Sequence, residues 1–304
     1  MLFLKSVLQI LKVTNPMNFK NILIIGAGTM GKGIAQWFAQ NNFDTELFDI
    51  NKVLLEKSLQ SIQTSWNVLE KKGKFSSEDI SRFNKDIAIT TSPNYRKYDL
   101  IIEAVVEDIT IKNKIFTEIE NKLESNSRLI IATNTSSISI DKLASNFKTF
   151  NKSNFLGIHF FNPATIMKLV ELVKGKETSI EMIEKFKRLF NNKGKKAVIS
   201  IDSPGFIVNR VNRNFFGEAL IQLKTHSHQQ VKQIDKIYKE IAGFKMGPFE
   251  LIDLIGVDVN LDVTKSVWNQ FDKNPRFSPH QIQQDLVDDK KFGKKNGEGF
   301  YKYE

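Results

Sequence analysis

The run Ile22-Leu23-Ile24-Ile25 passes without a break into Gly26-Ala27-Gly28-Thr29-Met30-Gly31, and Gly33-Ile34-Ala35 opens a helical pattern directly behind it. A bare GxGxxG is only a glycine-rich turn. Placed between a buried strand and a helix, it is the fingerprint of a dinucleotide site. Gly26 permits the tight turn, Gly28 lets a pyrophosphate approach the backbone, and Gly31 lets the helix close on the strand. Met30 sits inside the same turn, and the helix N-terminus offers unpaired N–H groups and a partial positive charge to the phosphates. A second apolar run, Thr45–Phe48, ends at Asp49, about 20 residues past the glycines as the fingerprint expects. A carboxylate there bonds the adenosine ribose diol and repels a 2′-phosphate, so NAD is expected over NADP, with FAD as the competitor.

The rest of the chain carries the pattern such a turn demands. Short apolar runs fall at 21–25, 45–48, 86–90, 100–105, 128–133, 155–160, 167–173 and 196–201. Helical spacing occupies 30–41, 53–71, 111–123 and 180–191 between them. This alternation predicts a parallel α/β sheet with helices on both faces. After Asp202-Ser203-Pro204-Gly205 the alternation stops, and helices are expected at 206–224, 229–241, 248–271 and 279–289. The fold class is therefore α/β, a Rossmann-type doubly wound sheet followed by an all-helical C-terminal domain. The expected division is an N-terminal extension over 1–16, a nucleotide-binding domain over 17–202 and a helical substrate and dimerisation domain over 203–304.

Composition narrows the function. The chain has no cysteine, which excludes disulfides, thiolate metal sites and a cysteine nucleophile. No metal is called for. Apolar runs such as Leu100–Val106 are far too short to span a bilayer, so no membrane is expected. The net charge of +10 admits a polyanionic partner. The lysines are spread along the chain, however, with Lys71-Lys72 and Lys195-Lys196 as mere pairs and no Arg-rich stretch interleaved with aromatics. Nucleic acid is therefore not expected, whereas a nucleotide or coenzyme A is compatible. Residues 1–16 fit neither a secretory signal nor an Arg-rich presequence, and the expected location is cytoplasmic rather than mitochondrial.

In an open α/β sheet ligands sit beyond the carboxyl ends of the strands. There the sequence places Glu107 after the run at 100–105, Asn134-Thr135-Ser136-Ser137 after 128–133, and His159 with Phe160-Phe161-Asn162-Pro163 in and after 155–160. The following run carries Glu171. Of four histidines only His159 lies at such a strand end; His226, His228 and His280 sit in or beside helical segments. Oxidising an alcohol by hydride transfer needs a group to take the hydroxyl proton, and a histidine near its ordinary pKa suits that task. A carboxylate against its other ring nitrogen would fix the tautomer and stabilise the imidazolium.

The strings GAGTMGKGIA, EAVVED, NTSS, GIHFFNP followed by MKLVELV, DSPGFIVNR, GPFEL and the closing GEGFY stand in order from about Asn21 to Tyr301. Together they resemble the 3-hydroxyacyl-CoA dehydrogenase family, most nearly its short-chain 3-hydroxybutyryl-CoA members. The resemblance implies His159 as catalytic base with Glu171 as its partner. It implies Ser136 and Asn209 on the substrate's 3-oxygen and thioester region, and Asn162 beside the substrate. Gly26, Gly28, Met30, Gly31, Asp49 and Asn134 would hold NAD, with Glu107 and Lys112 at its nicotinamide half. Ser65 and Lys72 match positions that meet coenzyme A. A homodimer through the helical domain is implied as well. Alternatives are a 3-hydroxyadipyl-CoA dehydrogenase, which a basic residue at the acyl end would favour, and a non-catalytic, crystallin-like NAD-binding relative. The segment Asn212–Phe216 is more polar than the resemblance leads one to expect.

Overall fold

The computed structural model describes residues 19–123, 128–223 and 227–303. The expected extension over 1–16, and His226, lie outside these residues. Two compact units emerge. One takes the described residues up to Thr135 together with Ile140–Asp202; the other takes Ser136–Ser139 with the chain from Ser203 onward.

The first unit is an eight-stranded sheet in the order β3-β2-β1-β4-β5-β6-β7-β8. The strands are β1 (Asn21–Ile25), β2 (Asp44–Phe48), β3 (Ile87–Thr90), β4 (Leu100–Glu103), β5 (Ile130–Thr133), β6 (Phe155–Phe160), β7 (Leu169–Lys174) and β8 (Lys196–Ile201). β1 to β6 are all parallel, in the order of the doubly wound dinucleotide-binding fold. Strands covered on both faces read as continuous apolar runs rather than alternations, as Ile22–Ile24 and Leu100–Ile102 show, every one of them without solvent contact. The strand order reverses between β1 and β4, which opens the ligand crevice beyond their carboxyl ends.

The expectation of a wholly parallel sheet is corrected at β7. It pairs antiparallel with β6, and β8 lies parallel to β7. Only eight residues separate Phe160 from Leu169, too few for a crossover connection, so the chain turns straight back.

Helix α1 (Thr29–Gln40) packs on the sheet through Ile34, Ala35, Trp37 and Phe38. The 20-residue α2 (Lys52–Lys71) is capped by Asn51 and buries Leu55, Ser58, Ile62 and Trp66, a single stripe at helical spacing. Helix α3 (Ser77–Lys85) was not expected from the sequence. Its signals are a capping box, Ser76 with Asp79, and the buried pair Ile80 and Phe83. α4 (Ile109–Lys122), α5 (Ile140–Ala144) and α6 (Ile180–Asn192) complete this unit.

The second unit is helical: α7 (Val208–Ile221), α8 (His228–Glu240), α9 (Pro248–Ile255), α10 (Val257–Gln270) and α11 (Gln281–Asp288). The single helix expected over 248–271 is two, broken at Gly256, whose φ of +106° no helix accommodates. Phe216, Leu220, Val231, Phe249, Val257, Leu286 and Phe300 form its core. Two buried acids tie the chain end to it. Asp253 accepts from the N–H groups of Phe300 and Tyr301, both at 2.9 Å. Asp235 accepts from the N–H groups of Phe249 and Glu250, at 2.9 Å each, and from Tyr301 Oη at 2.8 Å. His228 and His280 serve structure: the first contacts the Phe300 carbonyl through Nδ1, and the second caps α11.

Candidate active site

β1 ends at Ile25 and the chain turns sharply at Gly26, φ +102°, where a side chain would meet the Ala104 carbonyl at 2.7 Å. At Gly31 a Cβ would lie 1.8 Å from the Gly26 carbonyl oxygen, so only glycine lets α1 approach the turn this closely. Gly28 is different in kind: a Cβ there would meet nothing within 4 Å. It faces open space, which is what a phosphate requires. The N-terminus of α1 has neither a side-chain cap nor an acidic residue in its first turn, so its N–H dipoles are not answered by the protein's own charge. Met30, half-buried, packs against the core from this turn.

Asp49, just past β2, braces the turn. Its Oδ2 accepts from Ala27 N at 2.8 Å and its Oδ1 from Asn51 N at 2.9 Å. These bonds hold the carboxylate rigidly at the mouth of the crevice. The glycine turn, the uncapped helix end and this carboxylate fit a dinucleotide lacking a 2′-phosphate.

On the other side of the crevice, β4 ends at Glu103, which sequence reasoning passed over. Its side chain is fully buried. Lys112 Nζ of α4 donates to its Oε1 at 2.6 Å, Val105 N to the same oxygen at 2.7 Å, and Thr133 Oγ1 of β5 to its Oε2 at 2.6 Å. Lys112 also reaches Glu107 Oε2 at 3.4 Å, and Glu107 Oε1 accepts from Thr135 Oγ1 at 2.6 Å. Lys112 is thus 1% exposed and committed to two carboxylates rather than open to a ligand. Glu107 itself remains partly exposed, 36% at its side chain. A carboxylate inside an apolar strand is the signal that was available, since a buried charge demands a partner.

Asn134, at the end of β5, accepts from Phe160 N at 2.9 Å through Oδ1 and so fixes this loop to the end of β6. One residue earlier on β6 stands His159. The antiparallel register sets His159 directly opposite Glu171 of β7, and directly opposed residues project to the same face. His159 Nδ1 lies 2.7 Å from Glu171 Oε2, with the two side chains 7% and 0% exposed. The Phe161 ring packs 4.5 Å from the imidazole. Nδ1 is thus the ring nitrogen turned to the carboxylate, and Nε2 lies on the other side of the ring.

The loop after β6, with a cis Asn162–Pro163 bond, is held by Lys195. That residue looked like half of a surface pair. It is instead 6% exposed, while Lys196 is exposed. Its Nζ donates to the carbonyls of Ala164 and Met167, the latter at 2.7 Å, and lies over the rings of Trp37 and Phe160. Burial pushes the Lys195 ammonium down to about 8. Asn162 is exposed on this loop.

Ser65 is half-buried on α2 and accepts from Gln36 Nε2 at 3.2 Å, so it ties α2 to α1. Lys72, the C-cap of α2, is exposed seven residues on, on the same helical face. Ser136 and Asn209 belong to the helical unit, where Asn209 Nδ2 donates to the Ser136 carbonyl at 3.4 Å. Arg213, from the segment that looked too polar, turns inward and is 5% exposed. Among the described residues no group of three or more His, Asp or Glu could hold a metal ion. No described helix is long and apolar enough to cross a membrane.

Comparison with known proteins agrees along the whole described chain. Residues 21–203 match the model "3-hydroxyacyl-CoA dehydrogenase, NAD binding domain", and residues 205–303 match "3-hydroxyacyl-CoA dehydrogenase, C-terminal domain". The chain is 40% identical over 288 residues to the 3-hydroxyadipyl-CoA dehydrogenase of Escherichia coli K12, covering 93% of this chain but 59% of that protein. It is 37% identical over 292 residues to the mitochondrial hydroxyacyl-coenzyme A dehydrogenase of Homo sapiens, covering 93% and 91%. The crystal structure of (S)-3-hydroxybutyryl-CoA dehydrogenase from Ralstonia eutropha superposes with a TM-score of 0.84 at 33% identity, covering 94% of this chain and all of that one.

Proposed function

This chain belongs to the 3-hydroxyacyl-CoA dehydrogenase family, and on that premise we propose that it interconverts an (S)-3-hydroxyacyl-CoA and the corresponding 3-ketoacyl-CoA with NAD. The observation that carries the proposal is the buried His159–Glu171 pair, 2.7 Å apart, on the same sheet as the dinucleotide turn. When bound, NAD supplies the hydride acceptor, or NADH the donor. His159 takes the hydroxyl proton at Nε2 in oxidation and returns it in reduction, while Glu171 holds the tautomer and balances the imidazolium charge. Ser136 and Asn209 take the substrate's 3-oxygen and thioester region, with Asn162 beside it. Gly26, Gly28, Met30, Gly31, Asp49, Glu107 and Asn134 hold the cofactor, and Ser65 and Lys72 meet the coenzyme A moiety.

A short acyl chain, 3-hydroxybutyryl-CoA with acetoacetyl-CoA, is the substrate proposed first, in fatty acid oxidation or butanoate metabolism. The relatives' names span methyl-ended and carboxylated acyl groups. A homodimer through that unit draws support from its exposed Val211, Ile221, Leu254 and Val259. A cytoplasmic location is proposed in preference to the mitochondrial one of some relatives, and a chain without cysteine is compatible with that reducing compartment.

The test is NADH oxidation by the full chain. Acetoacetyl-CoA is turned over and free acetoacetate only poorly, because the nucleotide end of coenzyme A provides binding energy that positions the reacting carbon. His159→Ala lowers kcat by about 10²–10⁴ with NADH binding retained. Glu171→Gln also lowers it severely, and the double variant is little worse than His159→Ala. Equal turnover of the free acid, or additive losses, would sink the assignment.

A further inference from the structure

Lys195, between α6 and β8, is a buried cation with no counter-ion. No carboxylate among the described residues pairs with it, and burial alone pushes the ammonium down to about 8. Its chain neighbours Lys193 and Lys196 are cations too. The ammonium meets two carbonyls and two rings instead: Ala164 O, Met167 O at 2.7 Å, and Trp37 and Phe160 with centroids at 5.3 and 5.8 Å. A methionine of the same length would avoid the cost of burying that charge. What the lysine adds is geometry, since an ammonium carries three donors on one atom and can hold several groups at once.

The groups so joined come from three places. Ala164 and Met167 lie in the loop 161–168 between β6 and β7, which turns on itself as Ile166 N and Met167 N both donate to Pro163 O, at 3.0 and 2.9 Å. Its outer side is exposed, Ile166 at 73% and Met167 at 41%. Ala164 is buried against α1, where a Cβ at Gly33 would come within 3.3 Å of its own. Phe160, the residue after His159, donates its N–H to Asn134 Oδ1 at 2.9 Å. Trp37 belongs to α1, the helix that begins at the dinucleotide turn, and packs against Phe38, Phe160 and Phe190. The same loop opens with Phe161, whose ring lies 4.5 Å from the imidazole, and continues with Asn162. The imidazole is therefore braced by Glu171 on one side and by a ring carried on this loop on another.

We propose that Lys195 is a positioning residue for proton transfer at His159: by holding the Ala164 and Met167 carbonyls it keeps Phe161 against the imidazole. This deepens the dehydrogenase reading above and rests on it. Displacing a supporting group by about 1 Å can cost about 100-fold in rate, so loss of the tie acts on kcat. Cofactor affinity is spared. Trp37 lies about two helical turns beyond the glycines, and α1 keeps its own buried contacts through Ile34, Ala35 and Phe38.

The experiment uses the full chain, Lys195→Met, Phe161→Leu and the double variant, each assayed well below its measured Tm. Lys195→Met lowers kcat for acetoacetyl-CoA reduction by at least about tenfold. Its Kd for NADH stays within about twofold of the wild type, as for sites that do not couple. Exchange of the Ile166 and Met167 amides quickens while that of α1 does not. In the Phe161→Leu background Lys195→Met lowers kcat by less than about twofold more, because both act through one ring. A merely structural tie would lower Tm and quicken exchange but leave kcat intact. That result, an equal loss of NADH affinity, or full additivity with Phe161→Leu overturns the proposal. Should Lys195→Met not fold, Lys195→Gln, uncharged and one bond shorter, is put through the same comparison, and an unchanged kcat overturns the proposal there too. A wild type that turns over no thioester overturns the dehydrogenase reading and this proposal with it, whereas an active wild type beside a Lys195→Met variant of equal kcat overturns this proposal alone.

Discussion

Replacing Lys112 with methionine isolates the buried network around Glu103. The substitution keeps most of the side-chain volume and removes the ammonium that sits 2.6 Å from Glu103 Oε1. Glu103 then stands fully buried with two donors left, Val105 N and Thr133 Oγ1. Stripping one member from a buried ion pair costs about 3–5 kcal/mol, because the survivor is an uncompensated charge. For a unit of this size each kcal/mol lowers Tm by about 2–4 °C, so the variant should melt roughly 6–20 °C below the wild type. Adding Glu103→Gln removes the orphaned charge and keeps an acceptor for Val105 N. The double variant should therefore recover at least half of the loss. The KM for NADH should rise in Lys112→Met, since Glu107 and the Thr135 loop lose their common anchor. Scanning calorimetry of the four proteins, with NADH kinetics on each, decides the matter. Losses that add to within about 0.5 kcal/mol would mean that the two residues act independently, and the network would not be the unit described here.

Three further outcomes are expected. Asp49→Ala should narrow the preference for NADH over NADPH, by weakening the first and removing repulsion from the second; a wild type that uses both equally would show that Asp49 does not select. Lys72→Ala should raise the KM for acetoacetyl-CoA, leave the affinity for NADH unchanged and blunt the effect of added salt on the wild type's KM; an unchanged KM would return Lys72 to the solvated surface. The Lys195 ammonium is pushed down to about 8 from 10.5 in the unfolded chain. Between these values the folded state binds fewer protons, so stability rises with pH across that window. The Tm of the wild type minus that of Lys195→Met should accordingly grow from pH 7.5 to pH 10 at constant ionic strength; a flat difference would mean that burial does not disfavour the charge at this position.

Whatever depends on neighbours in the chain was legible before any coordinates. The dinucleotide turn is local: an apolar strand, glycines where a side chain has no room, and a helix start. The edges of β1, β6 and β8 could be read to the residue for the same reason, because apolar runs end where polar ones begin. The His159–Glu171 pairing could be suspected, since one histidine alone sat at a strand end with a carboxylate on the following strand. The apolar pattern itself does not encode which strand runs which way, and only the short connection after Phe160 hints at the reversal. Apolar runs look the same whether a strand is parallel or antiparallel, and only the reversal at β7 places Glu171 across from His159 rather than past it. Burial of charge is equally non-local. Lys195 read as half of a scattered lysine pair, Arg213 as part of an unexpectedly polar segment and Lys112 as a ligand contact, because a long cationic side chain looks identical in sequence whether it reaches solvent or folds back. Carbonyls of Ala164 and Met167 decide the first, a carbonyl and a hydroxyl of α10 the second, and Glu103 the third. Each partner lies nine or more residues away, so the energy that makes burial tolerable exists only once the tertiary structure has brought the two together.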